Sequence, residues 1–207
     1  MLFFGSSLLQ AARISVFWGG VEAVPIEYLE KIPGKEWLLV RTMPRSEELA
    51  ENFFRMNGIA CYLPRYNKVY VNSFTAKSGK SYSYKRPPVL SVMFPGYIFA
   101  ALNLEDISNT RRERSIAQVC LHGTGNEDVL LADLHKVQEF EFLAQNNQVE
   151  VKAEIQTGSA VTITRGPLSG WTGVVEKRLN CNFLFVRIES IGYSLGVECA
   201  AADCDAV

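Results

Sequence analysis

VLSVMFPGYIFAA, residues 89–101, is a strongly β-forming run interrupted once, at Pro95-Gly96. Branched and aromatic side chains suit a pleated, half-buried surface, whereas proline donates nothing to a ladder and glycine turns freely. The run therefore reads as two strands with a turn between them. Simple alternation would not let Phe94, Tyr97 and Phe99 face one way; a register shift at Pro95-Gly96 would.

Working outward, Glu36–Thr42 (EWLLVRT) reads as a second strand. Trp37, Leu39 and Arg41 lie on one face and Leu38, Val40 and Thr42 on the other, which predicts a central position in a sheet. Pro44 is expected to open a helix, with Glu47 and Glu48 in its first turn and Leu49, Phe53 and Met56 at core-facing spacing. Gly58 would stop it, and residues 59–63 form another strand. Residues 72–84 look like a basic hairpin bearing Tyr82 and Tyr84. A short helix over 104–114, a strand over 116–121 and a longer helix over 128–145, using Leu130, Leu134 and Val137, complete an α+β sandwich with helices on an antiparallel sheet.

Residues 146–157 are polar and acidic without a strong period, which suits a linker. Beyond them, short apolar runs at 160–164, 173–175, 183–188 and 194–199 alternate with Gly- and Asn-containing turns, the texture of a small β-barrel. The expected organisation is an extension over 1–34, a first domain over 35–145, the linker, and a second domain over 158–207.

The net charge of −1 conceals a polarised chain. Residues 35–115 hold 13 basic and seven acidic side chains, +6, whereas residues 116–156 hold two and seven, −5. Residues 65–86 carry Arg65, Lys68, Lys77, Lys80, Lys85 and Arg86 with no acid. Such a stretch attracts a phosphate backbone; a hairpin kept soluble by lysines would look the same.

Other classes are disfavoured. Five scattered cysteines without a CxxC pair give neither a disulfide framework nor a zinc site, so a reducing cytoplasm, no metal and no cofactor are expected. Residues 1–20 are apolar, but Arg13 interrupts them where a secretory signal would be unbroken. No apolar run reaches membrane-spanning length, so no membrane association is expected. His122 and His135 are the only histidines, and no GxSxG, HExxH or phosphate-loop motif occurs, so the chain does not read as an enzyme.

Two motifs carry a resemblance. Residues 161–175, VTITRGPLSGWTGVV, place Gly166 and Gly170 in a turn and Gly173 on a return strand, and resemble the KOW motif of NusG-like and ribosomal proteins. Phe94-Pro95-Gly96-Tyr97-Ile98-Phe99, with Trp37 upstream and a basic hairpin between, resembles the N-terminal domain of NusG. The resemblance covers residues 35–205. It implies a NusG-type sandwich joined by a flexible linker to an SH3-like KOW barrel, in a specialised paralogue of the RfaH or antiterminator branch.

The resemblance implies a monomeric transcription elongation and antitermination factor that docks on the clamp helices of bacterial RNA polymerase. Trp37, Leu39, Phe94, Pro95, Tyr97 and Phe99 match the docking wall, and Ser108, Asn109 and Thr110 match a contact with the polymerase gate loop. The non-template DNA strand, or nascent RNA, would meet Arg41, Arg45, Arg65, Lys68, Lys77, Lys80, Tyr82, Lys85 and Arg86. In the KOW module, Leu168, Trp171, Ile191 and Tyr193 match the surface for a small-subunit ribosomal protein or Rho. Its glycines and branched residues favour the barrel over a helical hairpin as the resting state. A ribosome-associated RNA-binding KOW protein is the alternative reading.

Overall fold

The computed structural model describes residues 13–14, 26–121, 127–144, 149–152, 159–164, 169–178, 181–188, 190–199 and 204–206. A short antiparallel pair, β1 (Arg13–Ile14) and β2 (Ile26–Glu27), precedes the first sheet. That sheet runs through β3 (Glu36–Thr42), α1 (Glu47–Met56) and β4 (Cys61–Tyr62). The chain then leaves it as a long two-part hairpin, β5 (Arg65–Lys68), β6 (Val71–Thr75), β7 (Ser81–Lys85) and β8 (Val89–Val92). It returns through β9 (Tyr97–Leu102), α2 (Leu104–Thr110), β10 (Ile116–Cys120) and α3 (Glu127–Leu143). The first sheet has the order β10-β3-β9-β4, all antiparallel, so β3 is central as its two apolar faces require.

Each face of that sheet has its own cover. Leu38, Val40, Ile98 and Ala100 pack with Ala50 and Phe54 of α1, and Trp37, Leu39, Phe99 and Ala101 pack beneath Leu130, Leu134, Val137 and Phe140 of α3. Phe54 and Phe140 are fully buried, and truncating either to Ala costs about 3–5 kcal/mol at such sites. α2 begins with a capping box: Asn103 Oδ1 accepts from Asp106 N (2.8 Å), and Asp106 Oδ2 accepts from Asn103 N (3.1 Å).

α1 departs from its expected form in two ways. Pro44 lies in a turn and the helix starts at Glu47, because Arg45 takes a left-handed φ of 61° that no helix can include. Its buried stripe is Glu47, Ala50, Glu51 and Phe54, while Leu49 and Met56 are exposed. The two carboxylates are inside because each finds a donor. Glu47 Oε1 accepts from Gly96 N at 2.7 Å, and Glu51 pairs with Arg65 at 2.5 Å and Arg55 at 2.7 Å. A buried carboxylate with such partners replaces its hydration; one without them would not be tolerated there.

The second sheet is formed by β11 (Val149–Lys152), β12 (Ser159–Ile163), β13 (Thr172–Arg178), β14 (Cys181–Ile188), β15 (Tyr193–Cys199) and β16 (Cys204–Ala206). Its order is β11-β15-β14-β13-β12-β16, antiparallel throughout. The expected strands at 160–164, 173–175, 183–188 and 194–199 coincide with β12 to β15. Two expectations change. Among the described residues the sheet is open, with no pairing between β11 and β16 to close a barrel. Part of the expected linker, Val149–Lys152, is a strand paired with β15.

The stretch before β3 is also tied down. Leu29 N donates to Gln138 Oε1 (3.1 Å), His135 Nε2 donates to Leu29 O (2.7 Å), and Trp37 Nε1 donates to Glu30 O (2.9 Å). Residues 28–32 thus form a strap along α3 rather than a loose extension.

Two predictions follow from these contacts. A Cβ on Gly173 would lie 2.3 Å from Phe185 O, a backbone atom that cannot step aside. Gly173→Ala should therefore lower stability by about 1–3 kcal/mol, read as a reduced urea midpoint with an unchanged slope. Burial pushes the Glu51 carboxyl up, but Arg65 and Arg55 together hold it below the ordinary glutamate value. Its stabilisation is then present above about pH 4.3, the unfolded value, and lost as pH falls through the lower folded value. Glu51→Gln should melt below the wild type at neutral pH, and a pH series of melting temperatures should show the gap closing in acid.

Candidate docking face and nucleic-acid interface

Gly96, with φ of 88°, makes the turn that the run over 89–101 requires. Tyr97 N donates back to Phe94 O (3.1 Å), and Thr42 N donates to Gly96 O (2.9 Å), so β3 and α1 both clamp the turn. The resulting shift brings Phe94, Tyr97 and Phe99 to one face. Phe94 meets Phe99 edge-on at 6.4 Å, and Phe94 and Tyr97 both stand against the ring of Tyr193, at 5.2 and 6.2 Å.

The six residues expected to form an outward wall divide in this arrangement. Trp37, Leu39 and Phe99 are core side chains packed with α3, and Phe94 is fully buried against Phe99 and Tyr193. Pro95 is exposed and Tyr97 half-buried. Beside Tyr193 lies an open crevice of about 740 Å³, lined by Arg45, Leu49, Tyr66, Tyr70 and Pro95 among others. Of the expected gate-loop residues, Ser108 and Asn109 are exposed on the last turn of α2. Thr110 points inward and its buried hydroxyl has no partner among the described residues, so it offers nothing to a ligand in this state.

The second sheet supplies the cover. Ser190 donates to Asp133 Oδ2 through both its backbone N (3.0 Å) and its hydroxyl, and Asp133, almost wholly buried, also pairs with Lys136. Trp171 Nε1 donates to Glu139 Oε2 (3.2 Å), whose other oxygen accepts from Tyr28 OH (2.8 Å). Burial and the Glu139 carboxylate push the Tyr28 phenol up to about 12. Burial, with Tyr97 beside it, raises that of Tyr193. Trp171 and Tyr193, expected to face a separate partner, are thus turned onto the first domain, and Ile191 is partly buried in the core cluster that spans both sheets; Leu168 lies outside the described residues. Asp133 and Glu139 were not singled out from sequence, since an acid on a helix carries no sign of the element that will pack on it.

The expected nucleic-acid residues also separate. Arg41 and Arg45 are exposed, and Lys68, Lys77, Lys80, Tyr82, Lys85 and Arg86 are exposed along the hairpin. Arg65 is structural: it grips Glu51, and that carboxylate raises its guanidinium further. Lys68 lies over the ring of Tyr70, 5.3 Å from its centre. With the Asn72 amide turned so that its oxygen faces the Arg86 guanidinium, Oδ1 accepts from it at 2.8 and 2.9 Å and from Tyr84 OH at 3.0 Å, which holds Arg86 against the strand pair. Tyr70 and Phe74, neither chosen from sequence, stand beside these groups; counting in twos from Tyr82 and Tyr84 across the hairpin would have found them.

No group of three His, Cys, Asp or Glu side chains gathers to hold a metal among the described residues. Burial pushes the thiols of Cys61 and Cys120 up, away from nucleophilic behaviour. No described helix is long and apolar enough to cross a membrane.

A family model described as "Transcription termination factor nusG" matches residues 35–140, from the lead into β3 through most of α3. No individual curated protein matches the chain. The matched region holds the first sheet, its three helices, the hairpin and the turn at Gly96, and spans half of the sequence. The chain belongs to the NusG family and is a transcription-related factor.

Proposed function

We propose that the protein is a transcription elongation factor that binds the clamp helices of bacterial RNA polymerase and suppresses pausing or termination. It acts without catalysis, in the cytoplasm, as a steric and electrostatic brace. The observation that carries this reading is the family match over residues 35–140, which contains the aromatic turn Phe94-Pro95-Gly96-Tyr97. The family description speaks of termination; the RfaH-like features of the sequence favour the opposite outcome on the same machinery. Contacts with the non-template strand or nascent RNA fall to the basic hairpin and to Arg41 and Arg45. The second sheet is read as a KOW-type module from its Val161-to-Val175 motif, with a ribosomal protein or Rho as partner once Trp171, Ile191 and Tyr193 are turned outward.

On this reading the polymerase-binding face is Tyr97, Pro95 and Phe94, and it becomes available when Tyr193 leaves. The cover is held by two aromatic contacts of Tyr193 and three hydrogen bonds to the carboxylates of Asp133 and Glu139. Aromatic pairs contribute about 0.5–1.5 kcal/mol each beyond burial, and hydrogen bonds to a carboxylate about 1.5–3. A partner displaces it when its own affinity, or a second contact that holds it nearby, outweighs these contacts.

The test is capture of purified polymerase by the full chain and its variants. Tyr97→Ala should weaken capture about tenfold or more, and Tyr193→Ala, which loosens the cover, should strengthen it severalfold. Circular dichroism melts establish that both variants are folded. Capture unchanged by Tyr97→Ala would overturn the docking face. Ribosome association without polymerase association would favour a ribosome-associated RNA-binding protein instead.

A further inference from the structure

The hairpin leaves one face of aromatic rings uncovered. Register pairs Asn72 with Tyr84 and Phe74 with Tyr82, and Arg86 N donates to Tyr70 O at 2.8 Å, placing those two side by side. Side chains alternate along a strand, so Tyr70, Asn72, Phe74, Tyr82, Tyr84 and Arg86 share one face. The other carries Ser73, Thr75, Ser81, Ser83 and Lys85. Tyr70, Phe74, Tyr82 and Tyr84 are 43, 56, 49 and 51% exposed, and the rings of Phe74 and Tyr82 stack at 5.3 Å with 20° between their planes. β6 and β7 pair only with each other among the described residues.

Folding alone does not account for this surface. A cross-strand aromatic pair contributes roughly 0.2–1 kcal/mol, and rings left about half exposed forgo much of the burial by which they would stabilise the hairpin. Four half-exposed rings on one side, with hydroxyls on the other, are a contact surface. Charge selects the partner: Lys68 lies over the ring of Tyr70, Arg86 shares the aromatic face, Lys77 and Lys80 sit in the connection between the two strands, and residues 65–86 contain no acid. A partner must therefore be negative and must also present flat apolar faces. Unpaired bases on a phosphate backbone do both, whereas a duplex keeps its base faces stacked inside.

We propose that this face is a stacking platform for single-stranded nucleic acid, with Phe74, Tyr82 and Tyr84 taking base faces and the neighbouring Lys68, Lys77 and Lys80 the phosphates. This deepens the nucleic-acid contact assigned to the hairpin above and rests on that reading. Recognition by rings is tolerant of sequence, because every base has a π-face, and far less sensitive to salt than recognition by lysines.

The test is fluorescence anisotropy of the full chain with labelled 12-nucleotide single-stranded DNA, the same sequence as RNA, and a 12-base-pair duplex, over a salt series. Single strands should bind about tenfold or more tighter than the duplex, and the DNA and RNA arms show which strand is preferred. Phe74→Ala with Tyr82→Ala should weaken single-strand binding about tenfold or more and leave the salt slope unchanged. Lys77→Gln with Lys80→Gln should weaken it and flatten that slope. All four side chains are exposed, and a melt equal to wild type shows that the fold survives. Duplex binding as tight as single-strand binding, aromatic variants that bind like wild type, or equal competition by poly-glutamate would each overturn the proposal. Tyr97→Ala should leave oligonucleotide binding intact, so loss of polymerase capture and loss of the platform are read separately.

Discussion

The bond from Gly96 N to the buried carboxylate of Glu47 is the contact on which the first domain's functional face depends. It fixes a left-handed turn between two strands that would otherwise run on in one register. Without that turn, Phe94 would fall on the opposite side of the sheet from Tyr97 and Phe99, and no aromatic face would assemble. Glu47 can serve this way only because α1 begins where it does. Arg45, in a left-handed conformation, delays the helix until its first carboxylate points at the turn. A helix begun at Pro44 would carry Glu47 further into its body and away from Gly96.

α3 is the second organising element. Leu130, Leu131, Asp133, Leu134, Val137, Phe140 and Leu143 are all buried, and they spread around more than half of the helix rather than along one stripe. Three neighbours account for it: the first sheet below, the strap at residues 28–32 along one flank, and the second sheet at Asp133 and Glu139. Glu139 joins the latter two, since its oxygens hold Tyr28 and Trp171 at once.

What could be read in advance was whatever a short window determines. The central place of β3 followed from two apolar faces in seven residues, the hairpin from its polar, turn-forming and basic composition, and the break at Pro95-Gly96 from two residue types. α1 was misread because its burial is decided by partners 49 and 14 residues away, Gly96 and Arg65, and a hydrophobic count gives carboxylates no inward weight. β11 hid in a polar stretch because its strand partner, β15, lies some forty residues later. Among candidate site residues, type was legible and direction was not. Trp171 and Tyr193 have the same character whether they meet another protein or their own first domain. Thr110 looks like its exposed neighbours Ser108 and Asn109 until the helix turns it inward.

Residues 144–148 are all the chain that separates α3 from β11, so Tyr193 is never far from Tyr97. Tethering over so short a span sets a local concentration of about a millimolar or more. An outside ligand for Tyr97, present at about a micromolar, must then bind that face roughly a thousandfold more tightly than the second sheet does to occupy half the molecules. The ring of Tyr193 therefore acts as a concentration threshold, ignoring weak or scarce competitors and yielding to one that is held nearby through a second contact.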